Sequence, residues 1–510
     1  MSVREQVMTE KFQFGLDKLT VTKALQLARG ELRGILADTV VSKIIENHKA
    51  VQNIAEGEKL VYGVNTGIGS LCTTKISKKD IRKLQENLLK SHSVGVGEPV
   101  ANEIAKLMLV LKVHSLCYGY SGVSLNVIER ICWHIEHKCI PLVPSQGSVG
   151  ASGDLAPLAH LFLPLLGFGK LSEDGKNYRP TPDVLKIHQL SPLKLGPKEG
   201  VALINGTQFI AAHAIAVSEK LFRCLEYADL IGALSLEAML ESHRPFVERL
   251  HQLRPHPGSL IVAKRMRTFL KGSQVVKSHE HCGRVQDPYS VRCIPQVHGA
   301  SRDALEHLNE KLVCELNAVT DNPIIFSEED TISGGNFHGQ PLALPLDYVS
   351  MAASELGSIS ERRTYLLLGG NAGLPTYLME DSGLNSGFMI TQYSAAALVS
   401  ENKSICFPAS VDSIPTSMGQ EDHVSMGSIS GRKALTIVKN LEKILAIELL
   451  CAAQAFDFRS PTQSGKTIER FHSLIREKIP HLKEDTVISD YIELAVEFIS
   501  NDNLLKATMH

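Results

Sequence analysis

Aromatic side chains are scarce in this 510-residue chain, at 5% of the residues, and tryptophan occurs once. Unbroken apolar runs of the length that a membrane helix needs are also missing. The longest uncharged stretches, 201–217 and 383–400, contain polar residues such as Asn, Gln, Thr and His. The first five residues hold no apolar stretch. The sequence therefore predicts neither a secretory signal peptide nor a membrane span.

Net charge is nearly absent. The chain has 53 Lys and Arg residues against 55 Asp and Glu residues, a formal charge of -2. This balance gives no general electrostatic field for nucleic acid or an anionic membrane surface. The ten cysteines are scattered, and a chain of this length does not need a disulfide framework. We therefore expect a soluble protein of the reducing cytoplasm.

Internal repeats, low-complexity tracts and linkers rich in Pro or Ser are missing as well, which predicts one continuous fold. Helical periodicity dominates instead. Strand-like alternation is short and rare, and the absence of regular βα units argues against Rossmann and TIM architectures. The long periodic stretches predict a mainly α fold with elongated antiparallel helices. These stretches cover residues 103–138, 205–240, 301–320 (with Ser301 as the N-cap), 346–368 and 431–456.

Glycine and proline concentrate in a few polar loops, of which residues 144–160 are the most unusual. One interpretation is a structural loop whose backbone N–H groups hold an anion, although the Gly-Lys-Ser/Thr ending of a P-loop is missing. A second is a nucleophilic serine, but the sequence around Ser152 is not Gly-x-Ser-x-Gly. On spacing alone, a structural glycine loop is favoured.

A third interpretation is chemical. The Gly153 nitrogen has little steric cover and could attack the Ala151 carbonyl to close a five-membered ring. Loss of two waters would then turn the Ser152 Cβ into an exocyclic methylidene. The product, 4-methylidene-imidazol-5-one (MIO), is an electrophile of a kind that no ordinary side chain supplies. Asp154, next to the ring, could move protons while it forms.

The loop at 147–159, Gly-Ser-Val-Gly-Ala-Ser-Gly-Asp-Leu-Ala-Pro-Leu-Ala, resembles the signature of the aromatic amino-acid ammonia-lyases, in their histidine-acting branch. Further motifs of this family match in the expected order along most of the chain. They are Tyr-Gly-Val-Asn-Thr-Gly-Ile-Gly at 62–69, Asn-Gly-Thr-Gln at 205–208, Gln-Asp-Pro-Tyr-Ser-Val-Arg at 286–292, Thr-Asp-Asn-Pro at 320–323, Gly-Asn-Phe-His-Gly at 335–339 and Gln-Glu-Asp-His-Val-Ser-Met at 420–426.

The resemblance gives roles to residues that are individually uninformative. It implies that Tyr62 lies near the substrate amine and the MIO group formed from Ala151, Ser152 and Gly153. Tyr289 is a candidate for the base that removes the β-proton, and Arg292 is suited to pairing with the substrate carboxylate. The residues that the matched motifs place around the ring and the substrate are Asn205, Gln286 and Phe337.

Two positions bear on which amino acid is the substrate. The order Ser91-His92 is similar to the histidine-acting branch, whereas phenylalanine-acting relatives have an aromatic-aliphatic pair there. Glu421 offers a carboxylate, which an imidazole N–H can use and a phenyl ring cannot. Phenylalanine-acting relatives usually carry an amide at this position. One departure from the family is Gly419, where relatives often have Asn.

The resemblance implies an elongated helical bundle of the ammonia-lyase and fumarase-aspartase-like type, with a smaller loop-rich N-terminal region that carries the MIO loop. We expect that region at residues 1–200 and the helical bundle at 201–510. The implied activity converts L-histidine to trans-urocanate and ammonia, the first step of histidine catabolism, in a homotetramer with shared active sites. The alternatives are a tyrosine or phenylalanine ammonia-lyase, an aminomutase of the same family, and a binding protein that has lost activity.

Two short clusters of metal-ligand residue types do not fit a known zinc spacing. They are His279-Glu-His281-Cys282 and His134-Ile-Glu-His137-Lys-Cys139. His134 and His137 could share a helix face, for which exposure to solvent is the simpler explanation. The sequence therefore predicts no metal.

Overall fold

The structure is a computed structural model, and it describes residues 11–280 and 285–509. Helices account for 60% of the described residues, which confirms the predicted mainly α fold. The α-helices are, in chain order, α1 (Val21–Arg29), α2 (Asp38–Glu56), α3 (Ile81–His92), α4 (Asn102–Leu116), α5 (Leu125–Glu136), α6 (Leu155–Phe162), α7 (Thr181–Ile187), α8 (Glu199–Ile204), α9 (Gln208–Ala238), α10 (Glu248–Gln252), α11 (Pro257–Phe269), α12 (Gln274–Ser278), α13 (Tyr289–Arg292), α14 (Ile294–Leu316), α15 (Gln340–Leu368), α16 (Met389–Ile405), α17 (Gly427–Asp457), α18 (Lys466–Arg476), α19 (Ile488–Ile499) and α20 (Asp502–Met509).

The strands are short and lie in separate small sheets. They are β1 (Lys11–Gln13), β2 (Arg33–Ile35), β3 (Val96–Pro99), β4 (Ile140–Pro141), β5 (Pro144–Gln146), β6 (Lys170–Ser172), β7 (Arg179–Pro180), β8 (Ile324–Ile325) and β9 (Thr331–Ile332). β1 pairs with β2 in parallel, whereas β3 with β5 and β8 with β9 are antiparallel pairs. The order β4-β6-β7 forms an antiparallel three-stranded sheet, in which Ile140 is opposite Ser172.

The chain divides into two compact units. Unit 1 comprises residues 1–216, 309–347 and 408–432, and unit 2 comprises 217–308, 348–407 and 433–510. Within unit 1, α4 is buried from Leu107 to Leu116. A helix segment that is buried on every face needs neighbours around its whole circumference, and α1 and α5 pack against it. In the same unit α6 packs against α3 and α8, and this group supports the glycine-rich loop that precedes α6.

Unit 2 combines amphipathic helices with buried charges. On α18 the buried residues Ile468, Phe471 and Ile475 follow helical spacing, and this helix packs against α11 and α20. Arg363 is completely buried, and its guanidinium donates to Glu448 from Nε at 2.5 Å and from Nη2 at 2.9 Å. A two-point pair of this kind satisfies both buried groups, which would be costly to leave unpaired.

The helix beginnings differ from the predictions at two places. Ser301 is not an N-cap, because α14 begins at Ile294, and its hydroxyl instead donates to the carbonyls of Val297 and Ala352. Pro295 fits there because the first turn of a helix does not use its N–H groups. α15 begins at Gln340 rather than 346 and contains Pro345. The predicted stretch 103–138 is two helices, α4 and α5, separated by a loop with left-handed glycines.

The cysteines within 11–280 and 285–509 are all free thiols. In the same part of the chain, every helix is too short or too polar to traverse a lipid bilayer.

Candidate active site

The glycine-rich loop enters α6 through a strained turn. Ser152 has a φ of 52°, and Gly153 follows with a φ of 81°. The left-handed conformation costs an ordinary L-residue about 1–2 kcal/mol, so a serine is held there only by its surroundings. Those surroundings are a second backbone segment: the Asp154 N–H donates to the Gly206 carbonyl at 2.8 Å.

Gly153 is required at its position for reasons of space. A Cβ added there would lie 2.1 Å from the Gly206 carbonyl oxygen, a distance that no real side chain tolerates. The glycine therefore allows the two backbones to pair, and Gly153 and Gly206 form a parallel β-bridge. The pairing places the side chain of Ser152 beside the segment that carries Asn205.

Asp154 anchors the loop to the beginning of α9. Its carboxylate Oδ2 accepts the N–H groups of Phe209 at 2.9 Å and Ile210 at 3.0 Å. The residue is completely buried, and this burial raises the pKa of Asp154 to about 7 against the two backbone hydrogen bonds, which lower it. Asp154 is thus an internal carboxyl group next to the loop that changes protonation near neutral pH.

Unit 1 contains a cavity of about 610 Å³ that opens at this loop. Four of the residues that the sequence assigns to the site share its wall with Ser152. The assigned residues that line the cavity are Tyr62, His92, Ser152, Asn205 and Glu421. The structure therefore brings together side chains from motifs that lie far apart in the sequence.

Glu421 is the acidic residue of this cavity, and it faces the serine. The Ser152 hydroxyl lies 3.5 Å from Glu421 Oε1, and the hydroxyl of Thr416 donates to Glu421 Oε2 at 2.8 Å. Backbone bonds between Thr416 and Glu421 close the turn that contains Gly419. One carboxylate oxygen is thus fixed by Thr416, while the other points toward the loop.

Tyr62 and His92 complete this wall as neutral groups. The Tyr62 hydroxyl accepts the N–H of Gly69 at 3.1 Å, and burial raises the pKa of the Tyr62 phenol further above its usual range. Burial also lowers the pKa of His92, whose Nδ1 lies 3.0 Å from the Ser91 hydroxyl. At neutral pH the cavity therefore presents a phenol and an uncharged imidazole beside the Glu421 carboxylate.

Asn205 is held by a lysine that the sequence prediction missed. The ammonium of Lys112, on the buried helix α4, donates to the Asn205 carbonyl at 2.6 Å. Burial lowers the pKa of Lys112 to about 7. The sequence does contain a sign of this role, because Lys112 is the single lysine within the apolar run 107–113. A charge that is buried in such a run needs a specific partner. Thr416 gave no comparable signal.

Three of the assigned residues form a group of their own in unit 2. Arg292 donates from Nη2 to Gln286 Oε1 at 3.1 Å, and its guanidinium lies 4.9 Å from the centre of the Tyr289 ring. Tyr289 is 74% exposed. The backbone next to Tyr289 is held by the buried Arg363, which donates from Nη1 to the carbonyl of Ser290 at 3.2 Å. The group combines a half-buried cation, Arg292, with an exposed phenol, Tyr289, at the two ends of α13.

The remaining assigned residues are placed around the loop or apart from it. Ala151 is buried with Val424 and Met426, so the segment after Glu421 packs directly against the loop. Phe337 is half-buried between β9 and α15 and does not line the cavity. His281 and Cys282 of the rejected metal cluster lie outside the described residues.

The family model for aromatic amino acid lyases matches residues 19–477. The chain belongs to this family. The match covers the cavity residues in unit 1 and the group at α13, so the sequence prediction of the family and of an ammonia-lyase is confirmed.

Relatives with known names agree with this assignment. A histidine ammonia-lyase of Natranaerobius thermophilus is 46% identical over 473 residues, which span 92% of this chain and 93% of the relative. A histidine ammonia-lyase of Deinococcus radiodurans is 48% identical over 466 residues, which span 91% of this chain and 88% of the relative.

Solved structures give the same fold. Histidine ammonia-lyase from Trypanosoma cruzi aligns with a TM-score of 0.90 at 39% identity, over 98% of this chain and 95% of that one. Tyrosine aminomutase from Streptomyces globisporus aligns with a TM-score of 0.91 at 35% identity, over 98% of each chain. The fold is therefore shared by lyases and aminomutases, and the side chains of the site must distinguish between the two reactions.

Proposed function

We propose that this chain eliminates ammonia from L-histidine to give trans-urocanate. The observation that carries the proposal is the cavity of unit 1, where the strained Ser152 faces the carboxylate of Glu421 with Tyr62 and His92 on the same wall. A carboxylate and a neutral imidazole suit a substrate side chain that both donates and accepts hydrogen bonds. A phenyl side chain has no N–H or O–H group to donate to the Glu421 carboxylate.

The reaction needs an electron acceptor, because the β-proton of histidine is barely acidic and its amine is a poor leaving group. The residues present fit an MIO group formed from Ala151, Ser152 and Gly153: the turn is left-handed at both Ser152 and Gly153, and no Cβ covers the Gly153 nitrogen. Such a group supplies the electrophile that the side chains lack. Asp154, buried next to it, is placed to exchange protons with the backbone during ring closure.

Substrate binding is assigned to the cavity residues and to the group at α13. Glu421 accepts a hydrogen bond from the imidazole of the substrate, and His92 orients the same ring. Arg292 pairs with the substrate carboxylate, because its planar guanidinium matches the geometry of a carboxylate. Tyr62 holds the amine, and Tyr289 or Glu421 takes the β-proton. Asn205, Gln286 and Phe337 are assigned to the surroundings of the substrate and the MIO loop.

We further infer that the protein acts as a homotetramer in the cytoplasm. The exposure of Tyr289, at 74%, supports an assembled site, because a phenol that must lose its proton to act as a base needs a cationic or hydrogen-bonded environment. Sedimentation or light scattering tests this inference. A monomer that is fully active would contradict it.

The decisive assay is incubation of the purified protein with L-histidine, L-tyrosine or L-phenylalanine. Urocanate, coumarate and cinnamate differ in ultraviolet absorbance, whereas an aminomutase gives a β-amino acid that chromatography detects. We expect urocanate from histidine. Turnover of tyrosine or phenylalanine at a higher kcat/KM than histidine would overturn the substrate assignment, and a β-amino acid product would overturn the reaction type.

A further inference from the structure

Three side chains of metal-ligating type meet in unit 1, outside the cavity described above. Cys139 Sγ lies 3.7 Å from His188 Nε2 and 3.9 Å from Glu173 Oε1, and the last two atoms are 3.0 Å apart. Each residue offers one ligand atom, and the three atoms all lie within 4.8 Å of one another. In residues 11–280 and 285–509 this is the one group of three or more such atoms found so close together.

The triangle has the size of one face of a zinc tetrahedron. With Zn–S near 2.3 Å and Zn–N or Zn–O near 2.0–2.1 Å, tetrahedral angles put sulfur about 3.6 Å from nitrogen or oxygen, and nitrogen about 3.3 Å from oxygen. The observed separations differ from these values by roughly 0.4 Å or less, so small side-chain rotations suffice. We propose that Cys139, Glu173 and His188 bind a thiophilic divalent cation, for which Zn²⁺ is the best fit.

The backbone holds the ligands in place without the ion. Cys139 immediately precedes β4 and Glu173 immediately follows β6, and the antiparallel register of Ile140 with Ser172 makes the two ligands cross-strand neighbours. His188 directly follows α7, which begins at the end of β7 in the same sheet. Two ligands therefore flank adjacent strands of one small sheet, and the third lies at the end of the helix that follows this sheet, an ordered support for a metal site.

Glu173 is oriented by a further partner. Arg179, on β7, pairs with its Oε2 and leaves Oε1 directed at Cys139 and His188. An outer-shell cation that fixes a ligating carboxylate is a regular feature of metal sites. A simple ion pair accounts for the contact between Glu173 and His188, and apolar packing accounts for the burial of Cys139. A bound ion accounts in addition for the convergence of all three ligand atoms.

The site is enclosed on the sulfur side and open on the other. Cys139 is completely buried against Leu171 and Val184, whereas the side chains of Glu173 and His188 are 33% and 25% exposed. An ion can therefore reach the sulfur past the carboxylate and the imidazole. Three protein ligands leave one position for water, the arrangement that a cation with tetrahedral preference accepts.

This inference departs from the sequence expectation that no metal binds. The rejected cluster around Cys139 contained the right cysteine with the wrong histidines. His134 Nδ1 lies 2.8 Å from the carbonyl of Cys139, and the ring of His137 stacks on Trp133 at 4.8 Å. The other two ligands are 34 and 49 positions away, so no short motif contains the site.

The only tryptophan of the chain, Trp133, reports on the site, because its ring lies 5.0 Å from that of His188. The test is a titration of the purified, chelator-treated full-length protein with Co²⁺. We expect one equivalent to bind, with a thiolate-to-cobalt absorption band and quenching of the Trp133 fluorescence. Addition of Zn²⁺ should displace the cobalt and remove both signals.

Variants locate the binding. Cys139→Ser should lose the thiolate band, and Glu173→Gln and His188→Gln should each weaken binding by about tenfold or more. Cys132→Ser, on the preceding helix α5 and outside the triangle, is the matched control and should keep the band and the affinity. Circular dichroism monitors the fold. If Cys139→Ser does not fold, Glu173→Gln decides, since its side chain is partly exposed.

The absence of a thiolate band in the wild-type protein would overturn the proposal. A band that Cys139→Ser retains, or an affinity that Glu173→Gln leaves unchanged, would do the same.

Discussion

The hydroxyl of Ser152 lies 3.5 Å from the carboxylate oxygen Oε1 of Glu421, 269 positions further along the chain. The contact joins the two parts of the proposed reaction. Ser152 is the residue from which the electrophile is to form, and Glu421 is the residue that is to recognise the imidazole. Each can be changed separately, so the two roles can be tested separately.

We expect Ser152→Ala to lower kcat for histidine by at least about 10³-fold, because the accelerations that enzymes achieve, about 10⁶-fold or more, cannot be reached without the electrophile. The fold should survive, since the side chain is only half-buried. Intact mass is the direct measurement: the wild-type chain should be lighter than its sequence by two waters, and the variant should not show the dehydration. A variant with the wild-type rate would contradict the mechanism.

Gly153→Ala should abolish the activity and destabilise the loop. Its Cβ would meet the Gly206 carbonyl at 2.1 Å, in addition to the cost of a φ of 81°. Gly272→Ala is the matched control, because Gly272 has a φ of 84° with no atom within 4 Å of the added Cβ. The free energy of unfolding of Gly272→Ala should fall only by the conformational cost of about 1–2 kcal/mol, and its activity should be unchanged. Equal losses of Tm in the two variants would show that contact with Gly206 is unimportant.

Glu421→Gln should lower kcat/KM for histidine by about 10–100-fold, the value of one hydrogen bond to a charged group. The kcat/KM of the variant for phenylalanine should fall less, because the phenyl ring has no N–H that could donate to the carboxylate. Asp422→Asn, an exposed neighbour, is the control for a change of charge at the same turn. Steady-state kinetics with both substrates provide the measurement. An unchanged selectivity in Glu421→Gln would rule out the recognition role.

Local features of this molecule were predictable where a short segment decides them. The loop around Ser152 and the helix after Asn205 each carry their signal within a few residues. The beginning of α14 was not predictable, because Ser301 is a good N-cap by type and only tertiary contacts, such as its bond to Ala352, decide against it.

The partners of individual side chains were not predictable from the sequence. The pairing of Thr416 with Glu421 depends on the geometry of a turn. The lone lysine in an apolar run indicates a buried charge, but its bond to Asn205 depends on how α4 packs. The assignment of Tyr289 and Arg292 stays a prediction, since it came from the family motif and not from any local rule.

Gly419→Asn should be nearly neutral. Gly419 has a φ of 86°, a conformation that asparagine tolerates better than other side chains, and nothing lies within 4 Å of an added Cβ. The departure from the asparagine often found in relatives is therefore an exchange between two residues suited to the same turn. Gly419→Val should lower both Tm and kcat/KM, because a β-branched residue resists this φ. A large loss of kcat/KM in Gly419→Asn would indicate that the open space beside position 419 is needed for the activity.

The buried Asp154 should make the stability depend on pH. Its pKa is about 7 in the folded chain against the ordinary value of 3.8, and burial is the main cause. The folded state therefore holds a proton that the unfolded state releases, so the contribution of Asp154 is fully favourable below pH 3.8 and is lost as the pH rises toward 7.

Between about pH 5 and pH 8 this loss amounts to roughly 2–3 kcal/mol. The amide that Asp154→Asn introduces cannot ionise, yet its carbonyl oxygen can still accept the N–H groups of Phe209 and Ile210. We therefore expect the Tm of Asp154→Asn to increase relative to that of the wild type as the pH rises across this range. Asp422→Asn should track the wild type under the same conditions. If the difference in Tm between Asp154→Asn and the wild type is the same at both pH values, then Asp154 does not titrate near neutrality and cannot exchange protons there during ring closure.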